Sequence, residues 1–121
     1  MDVLLVDDEA KNLFALSALL EDLGARLHCV HSGEEALRQV LKREFAAILL
    51  DVRMPGLDGF ETAAAIRSLE RTRRGPVIFL SAQGDRRADG RDAHSEFILK
   101  PVDPGIIRPR VAQHLAQFKK H

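Results

Sequence analysis

Tryptophan and tyrosine are absent from this chain of 121 residues, and cysteine occurs once, as Cys29. A single cysteine excludes an internal disulfide, and its apolar flanks favour a buried structural thiol over a reactive one. No apolar run in the sequence approaches the roughly 20 residues that a membrane-spanning helix needs. The first residues lead directly into an apolar strand pattern rather than a signal peptide. We therefore expect a cytoplasmic protein that is stabilised by its apolar core.

An excess of either charge sign is also missing. Lysine plus arginine number 18 and aspartate plus glutamate number 18, so the formal net charge is zero. A neutral chain has no overall field that attracts nucleic acid or an anionic membrane. The arginine-rich cluster at residues 70–74 has no aromatic platform beside it, which favours a solvated helix end over a nucleic-acid site. The length suits one domain, residues 1–121, whose function must lie in specific sites.

The chain does contain an alternation of short apolar strands and amphipathic helical patterns. Five stretches have the length and apolar character of buried strands: Val3–Val6, Arg26–Val30, Phe45–Leu50, Val77–Ser81 and Phe97–Leu99. Helical periodicity begins near Lys11, and Ser32 and Asp58 stand where N-caps belong, each with a glutamate three residues later. The pattern predicts a doubly wound α/β fold, with a parallel sheet and helices on both of its faces.

Two stretches depart from this pattern. Gln83–Ser95 has only alanine as an apolar residue, which predicts a polar loop with at most a frayed turn. A last helix is predicted to open at Asp103–Pro104, because aspartate caps a helix and proline suits its first position. Pro109 lies inside that pattern, and its ring would press on the carbonyl group of Gly105. We therefore expect a kink, or a late helix start near Ile107.

Polar side chains follow four of the predicted strands. Asp7 and Asp8 follow the first strand, Asp51 the third, Ser81 ends the fourth and Lys100 follows the fifth. The carboxyl ends of parallel strands meet at one edge of a sheet, where doubly wound folds bind their ligands. The sequence therefore predicts one crevice that collects these five side chains.

The chemistry of this set points to phosphoryl transfer. Three carboxylates in one crevice repel one another, each pair by on the order of 4 kcal/mol at about 4 Å near a protein surface. A cation must compensate, and carboxylate oxygens with open water positions suit Mg2+. Lys100 adds a fixed positive charge and Ser81 a hydroxyl donor, so Asp51 is placed to attack phosphorus as a nucleophile. An ionised carboxylate needs no general base for that attack.

The same residues stand in recognisable motifs. Val-Asp-Asp-Glu follows the first strand, Leu-Leu-Asp-Val-Arg-Met-Pro-Gly-Leu-Asp-Gly lies in the middle, Phe-Leu-Ser-Ala follows the fourth strand and Leu-Lys-Pro follows the fifth. With these motifs the chain resembles the receiver domains of two-component response regulators over essentially its full length. The resemblance implies a flavodoxin-like, five-stranded parallel sheet of order 2-1-3-4-5, flanked by five helices.

For the reaction, the resemblance implies that Asp51 accepts a phosphoryl group from a phosphohistidine on a sensor histidine kinase or a phosphotransfer protein. Mg2+ would be held by Asp7, Asp8 and Asp51 and by the backbone carbonyl of Arg53. The chain would be a signalling domain that catalyses only its own phosphorylation and dephosphorylation. It would act on an output domain or a downstream protein, without direct contact with nucleic acid or membrane.

For the switch, the resemblance implies that Ser81 and Lys100 contact the phosphoryl group. Ser81 would move toward it, and the ring of Phe97 would move inward into the vacated space. The peptide bond between Lys100 and the following proline is expected to be cis, a geometry that proline tolerates. Between Ser81 and Lys100 the chain is shorter than receiver domains commonly are. We therefore expect the fourth helix to be shortened or absent, and hypothesise that this region is disordered or folds on a partner.

Two other classes of function compete with this interpretation. A scaffold with a receiver fold could bind partners without phosphorylation, a reading favoured by the altered fourth helix and opposed by the complete acidic set. A phosphatase of the haloacid dehalogenase type also forms an aspartyl phosphate. That family places a second aspartate two residues after its nucleophile on the first strand, whereas Asp7 and Asp8 are adjacent here.

Overall fold

The computed structural model describes residues 1–69, 76–82 and 95–120, which form five strands and four α-helices. The strands are β1 (Asp2–Val6), β2 (Arg26–Val30), β3 (Ala47–Asp51), β4 (Val77–Ser81) and β5 (Ser95–Leu99). The α-helices are α1 (Ala10–Leu20), α2 (Gly33–Lys42), α3 (Gly59–Ser68) and α4 (Pro104–Lys119). The arginine-rich cluster at 70–74 and positions 83–94 of the polar stretch lie outside the described residues, so what the sequence predicts for them stays a prediction.

The five strands form one parallel sheet in the order β2-β1-β3-β4-β5, as expected. The order reverses beside β1, because the chain passes from β2 back across β1 to β3. In the register of β1 and β3, Val6 lies opposite Leu50. Asp7 and Asp51, one residue further along, therefore leave the sheet side by side at the reversal point, where doubly wound folds open a crevice.

Two apolar layers cover the sheet. Helices α1 and α4 pack on one face and α2 and α3 on the other. The neighbouring residues Leu49 and Leu50 of β3 point to opposite faces, and both are fully buried. Burial of one such side chain stabilises a fold by about 1.5–3 kcal/mol. β3 is thus held from both sides, and the Asp51 backbone at its end has little freedom to move.

The predicted N-caps are confirmed. Ser32 Oγ accepts a hydrogen bond from the Glu35 backbone N–H at 3.1 Å. Asp58 and Glu61 form a complete capping box at the start of α3. Asp103 Oδ1 accepts from the Gly105 backbone N–H at 2.8 Å. These side chains satisfy backbone donors that the first helical turn leaves unpaired.

The last helix opens at Asp103–Pro104 as predicted, and the alternative of a late start near Ile107 is wrong. α4 begins at Pro104 and continues through Pro109 to Lys119. Gly105, four residues before Pro109, carries no side chain, and both residues lie at the solvent-exposed side of the helix. The carbonyl group that loses its partner can therefore be hydrated, which makes the proline tolerable in the second turn.

Two local predictions are also corrected. Cys29 is exposed rather than buried, because β2 is an edge strand of the sheet and its Sγ lies outside both apolar layers, 3.3 Å from Ser17 Oγ. β5 begins at Ser95 instead of Phe97, since Ser95 pairs with Val77 on β4. Ladder hydrogen bonds use backbone groups, so a polar side chain does not prevent strand pairing.

None of the helices within the described ranges combines the length and the apolar character that crossing a bilayer requires.

Candidate functional site

Three carboxylates meet at the carboxyl ends of β1 and β3. Asp7 and Asp51 are buried, with 1% and 4% of their surface exposed, whereas Asp8 is exposed. One carboxylate oxygen from each of the three lies within 4.8 Å of the others. The structure thus brings together the acidic set that the sequence predicts at this edge.

The Asp7 carboxylate is oriented by the backbone that follows it. Its Oδ1 accepts a hydrogen bond from the Glu9 backbone N–H at 2.9 Å. Its Oδ2 is buried and has no hydrogen-bond partner among the described residues; Lys100 Nζ lies 3.9 Å away. A buried oxygen without a donor is costly, by about 1–3 kcal/mol or more for a charged group. This oxygen is therefore suited to bind a cation.

Lys100, which follows β5, extends its side chain to the acidic cluster. Its Nζ donates a hydrogen bond to Asp51 Oδ1 at 2.6 Å. Its backbone N–H donates to the Ser81 carbonyl at 2.9 Å, which fixes the residue beside the end of β4. The peptide bond to Pro101 is cis, as expected. Lys100 is thus placed with its ammonium group against the carboxylate of Asp51.

The protonation of Asp51 is set by opposing effects. Burial raises the pKa of the Asp51 carboxyl above its ordinary value, while the hydrogen bond from Lys100 lowers it. The neighbouring charge of Asp7 raises the pKa further, and the Arg53 backbone N–H, which donates to the carboxylate, lowers it. The net shift is upward. The site therefore disfavours its own negative charge until a further cation is supplied.

The donor set fits a hard divalent cation. All the side-chain donors are carboxylate oxygens, which Mg2+ prefers. Exposed Asp8 leaves one side of the cluster open to water, and Mg2+ usually keeps several water ligands. The unpartnered Asp7 Oδ2 supplies an oxygen with no competing donor within the described part of the chain.

The remaining predicted site residues lie at the same sheet edge. Ser81 ends β4 and is 3% exposed, one strand away from Asp51 in the sheet. Arg53 follows Asp51 by two residues, and its side chain is exposed.

Phe97 already packs against other rings in this structure. Its ring stacks on Phe79 of β4 with centroids 5.0 Å apart and an interplanar angle of 20°. Phe60 of α3 lies 5.0 Å from Phe79 and 6.4 Å from Phe97. Stacked phenyl pairs contribute about 0.5–1.5 kcal/mol beyond area burial. This cluster was not predicted from the sequence, although Phe79 and Phe97 are direct partners in the register of β4 and β5.

Gly59 has a role in the site that was not predicted from the sequence. A Cβ atom at this position would lie 2.4 Å from the Asp51 carbonyl oxygen and 2.7 Å from Val52 Cα. Those are backbone atoms that cannot turn away, so only glycine fits where α3 begins. The Asp58–Gly59 pair could have indicated this role, because the N-cap accounts for the aspartate but leaves the glycine unexplained.

Comparison with known proteins identifies a family and several relatives that match most of this chain. The family model of the response regulator receiver domain matches residues 3–112. The sensor histidine kinase GacS of Pseudomonas protegens is 36% identical over 106 residues, which cover 83% of this chain and 12% of that protein. The transcriptional regulatory protein SrrA of Staphylococcus aureus is 32% identical over 113 residues, 91% of this chain and 46% of that protein. The chain thus spans less than half the length of both of these relatives.

A solved structure matches the fold closely. The receiver domain of the sensor histidine kinase PA1611 from Pseudomonas aeruginosa superimposes with a TM-score of 0.85 and 32% identity, covering 95% of this chain and 97% of that one. Its structure holds a magnesium ion in the active site cleft. From the family match, the sheet order and the acidic cluster together, we conclude that this chain belongs to the response regulator receiver domain family.

Proposed function

We propose that Asp51 is the phosphoacceptor of this receiver domain. One observation carries the proposal: a buried Asp51 carboxylate contacts the Lys100 ammonium at 2.6 Å and shares a cluster with Asp7 and Asp8. A scaffold that only bound partners would gain nothing from buried acids that oppose their own charge. The scaffold alternative is therefore not favoured.

The reaction follows from the placement of these groups. An Asp51 carboxylate oxygen forms a bond to phosphorus while the P–N bond of a phosphohistidine breaks, and the imidazole nitrogen leaves with the electron pair. The Lys100 ammonium lies beside the attacking carboxylate and neutralises charge on the transferring oxygens. Ser81 is assigned as a hydroxyl donor to the same group. The product is an aspartyl phosphate, which water then hydrolyses.

Asp7, Asp8 and Asp51, with the backbone carbonyl of Arg53, would hold a bound Mg2+. The ion would neutralise negative charge among the carboxylates and the phosphoryl oxygens. Support comes from the buried Asp7 Oδ2, which lacks a hydrogen-bond donor within the described residues. The charge of Asp51, which burial disfavours, would be stabilised by the same ion.

The partners belong to the same proposal. A sensor histidine kinase or a phosphotransfer protein would supply the phosphoryl group in the cytoplasm, and an output domain or downstream protein would receive the signal. The chain would catalyse only its own phosphorylation and dephosphorylation. Ser81 and Phe97 would form the switch, and the existing stack of Phe97 on Phe79 limits how far that ring can still move inward.

The proposal is tested with a small phosphodonor. Acetyl phosphate and Mg2+ should add one phosphoryl group to the wild-type chain, measured by intact-protein mass spectrometry. Asp51→Asn should gain none, because an amide is not a nucleophile toward phosphorus. Asp22→Asn carries the same chemical change at an exposed position just beyond the C-terminal end of α1, and should be phosphorylated like the wild type.

Phosphorylation of Asp51→Asn at the wild-type level would place the acceptor elsewhere. If neither acetyl phosphate nor phosphorylated kinases phosphorylate the wild type, the scaffold that binds partners without phosphorylation becomes the favoured function.

A further inference from the structure

The first residue of α2 touches α3 without any room for a side chain. Gly33 is buried, and a Cβ atom there would lie 2.1 Å from Thr62 Oγ1 and 2.9 Å from Leu57 Cβ. The Leu57 carbonyl oxygen would be 3.3 Å away. A Cβ atom never lies as close as 2.1 Å to an oxygen, so a side chain at position 33 must push the starts of α2 and α3 apart.

Thr62 cannot turn aside from this contact. It is fully buried, and its Oγ1 donates a hydrogen bond to the Asp58 carbonyl at 2.8 Å. The Thr62 backbone N–H donates to the same carbonyl at 2.9 Å. Rotation of the side chain would leave a buried hydroxyl without its acceptor, at a cost of about 1–3 kcal/mol. A displacement of Thr62 therefore also displaces the first turn of α3, to which it is hydrogen-bonded.

That first turn rests on the backbone of the candidate phosphoacceptor. Gly59 approaches the Asp51 carbonyl so closely that a Cβ would lie 2.4 Å from it, and the Gly59 N–H donates to the Val52 carbonyl at 2.9 Å. Protein interiors are packed densely enough to transmit such displacements. An unbroken series of contacts thus links Gly33 to Thr62, Thr62 to the first turn of α3, and that turn to the backbone of Asp51.

We infer that Gly33 and Thr62 are positioning residues for the Asp51 carboxylate. They act through the first turn of α3 and lie outside the acidic cluster of Asp7, Asp8 and Asp51. The inference rests on the proposed function, since it concerns the geometry of the same metal-binding cluster. Groups that orient metal ligands from outside the ligand set typically change metal affinity about 10–100-fold when they are altered.

The test measures Mg2+ affinity instead of phosphorylation. Gly33→Ala should weaken Mg2+ binding about 10-fold by isothermal titration calorimetry. Gly105→Ala is the matched control, since it makes the same change in the first turn of α4, where the new Cβ would meet only the flexible Asp103 Oδ1 at 3.3 Å. Its Mg2+ affinity should stay close to that of the wild type.

A second substitution distinguishes positioning from a loss of stability. Thr62→Ala removes the atom that lies 2.1 Å from the new Cβ but leaves Leu57 Cβ at 2.9 Å, so the double variant Gly33→Ala/Thr62→Ala should recover part of the lost Mg2+ affinity. Thr62→Ile presses on the same contact from the α3 side and should weaken Mg2+ binding when position 33 is still glycine. If Gly33→Ala does not fold, Thr62→Ile tests the same contact in its place.

The outcomes separate this inference from the proposed function. Equal Mg2+ affinity in wild type and Gly33→Ala, with a lower unfolding free energy in the variant, would show a purely structural contact. Weak binding that Thr62→Ala does not rescue would also overturn the steric path. A wild-type chain that binds no Mg2+ removes the proposed metal site, and with it this inference.

Discussion

At the scale of single residues, Asp51 combines two demands that conflict. In the proposed phosphoryl transfer its carboxylate must be ionised to act as a nucleophile, yet burial and the charge of Asp7 both raise its pKa. Lys100 compensates only in part, although it contacts the carboxylate at 2.6 Å. The folded chain therefore gives up stability to keep this acid in place, as functional sites commonly do.

The pH dependence of stability follows from that raised pKa. Between the ordinary value of 3.8 and the higher value in the folded state, the folded chain binds more protons than the unfolded chain. The contribution of Asp51 to the unfolding free energy therefore falls as pH rises through this window, and is lowest above it. Without Mg2+, Asp51→Asn should raise the unfolding free energy at pH 7, because a neutral amide avoids the burial of a charge. The gain should shrink as pH falls toward 3.8.

Urea unfolding followed by far-ultraviolet circular dichroism, with a chelator present, measures this effect. Asp22→Asn is the contrasting control, because hydrogen bonding to Arg108 lowers the pKa of Asp22 and its substitution should bring no gain. A loss of stability in Asp51→Asn at pH 7 would mean that Lys100 outweighs burial.

At the scale of elements, the helix caps are local and therefore predictable. The Ser32 side chain and the Glu35 backbone lie three residues apart, so their hydrogen bond could be inferred from sequence alone. The tolerance of Pro109 and the exposure of Cys29 could not. They depend on which surfaces α4 and β2 turn toward solvent, and that is fixed by packing between distant parts of the chain.

The cap of α2 gives a stability prediction. Ser32→Ala removes the oxygen that accepts from the Glu35 N–H, and should lower the unfolding free energy by about 1 kcal/mol. Ser68→Ala is the control, since the exposed Ser68 hydroxyl only donates back to the Ala65 carbonyl within α3. Its substitution should change stability little, because such back-bonding does not support a helix. Equal effects of the two substitutions in urea unfolding would contradict the role of the cap.

At the scale of the whole molecule, the fold and the position of the acidic cluster at one sheet edge could be predicted from the sequence for the same reason. Buried parallel strands have a strong apolar signature, and the doubly wound architecture then fixes where their polar ends meet. The steric contact of Gly33 with Thr62 was not predictable, because a glycine within a capping sequence has an adequate local explanation. Close approaches between helices carry no periodic signal in the sequence.

Metal binding should stabilise the entire fold. Mg2+ that binds only the folded chain adds about 2.7 kcal/mol to the unfolding free energy when its free concentration is 100 times Kd. The urea midpoint of the wild type should therefore rise with Mg2+ and fall when a chelator is added. Asp8→Asn should lose most of this response, since it removes the exposed carboxylate of the cluster, while Glu34→Gln on the exposed side of α2 should keep it. An identical Mg2+ response in Asp8→Asn would exclude Asp8 as a ligand.

The exposed thiol of Cys29 on the edge strand β2 provides a natural attachment point. Because the chain has one cysteine, a maleimide dye would bind at a single place, and the absence of tryptophan and tyrosine removes the usual ultraviolet fluorescence of a protein. β2 and β5 are opposite edges of the sheet. A dye at Cys29 could therefore follow metal binding, phosphoryl transfer and partner exchange by fluorescence on the unsubstituted protein, from the edge farthest from Phe97.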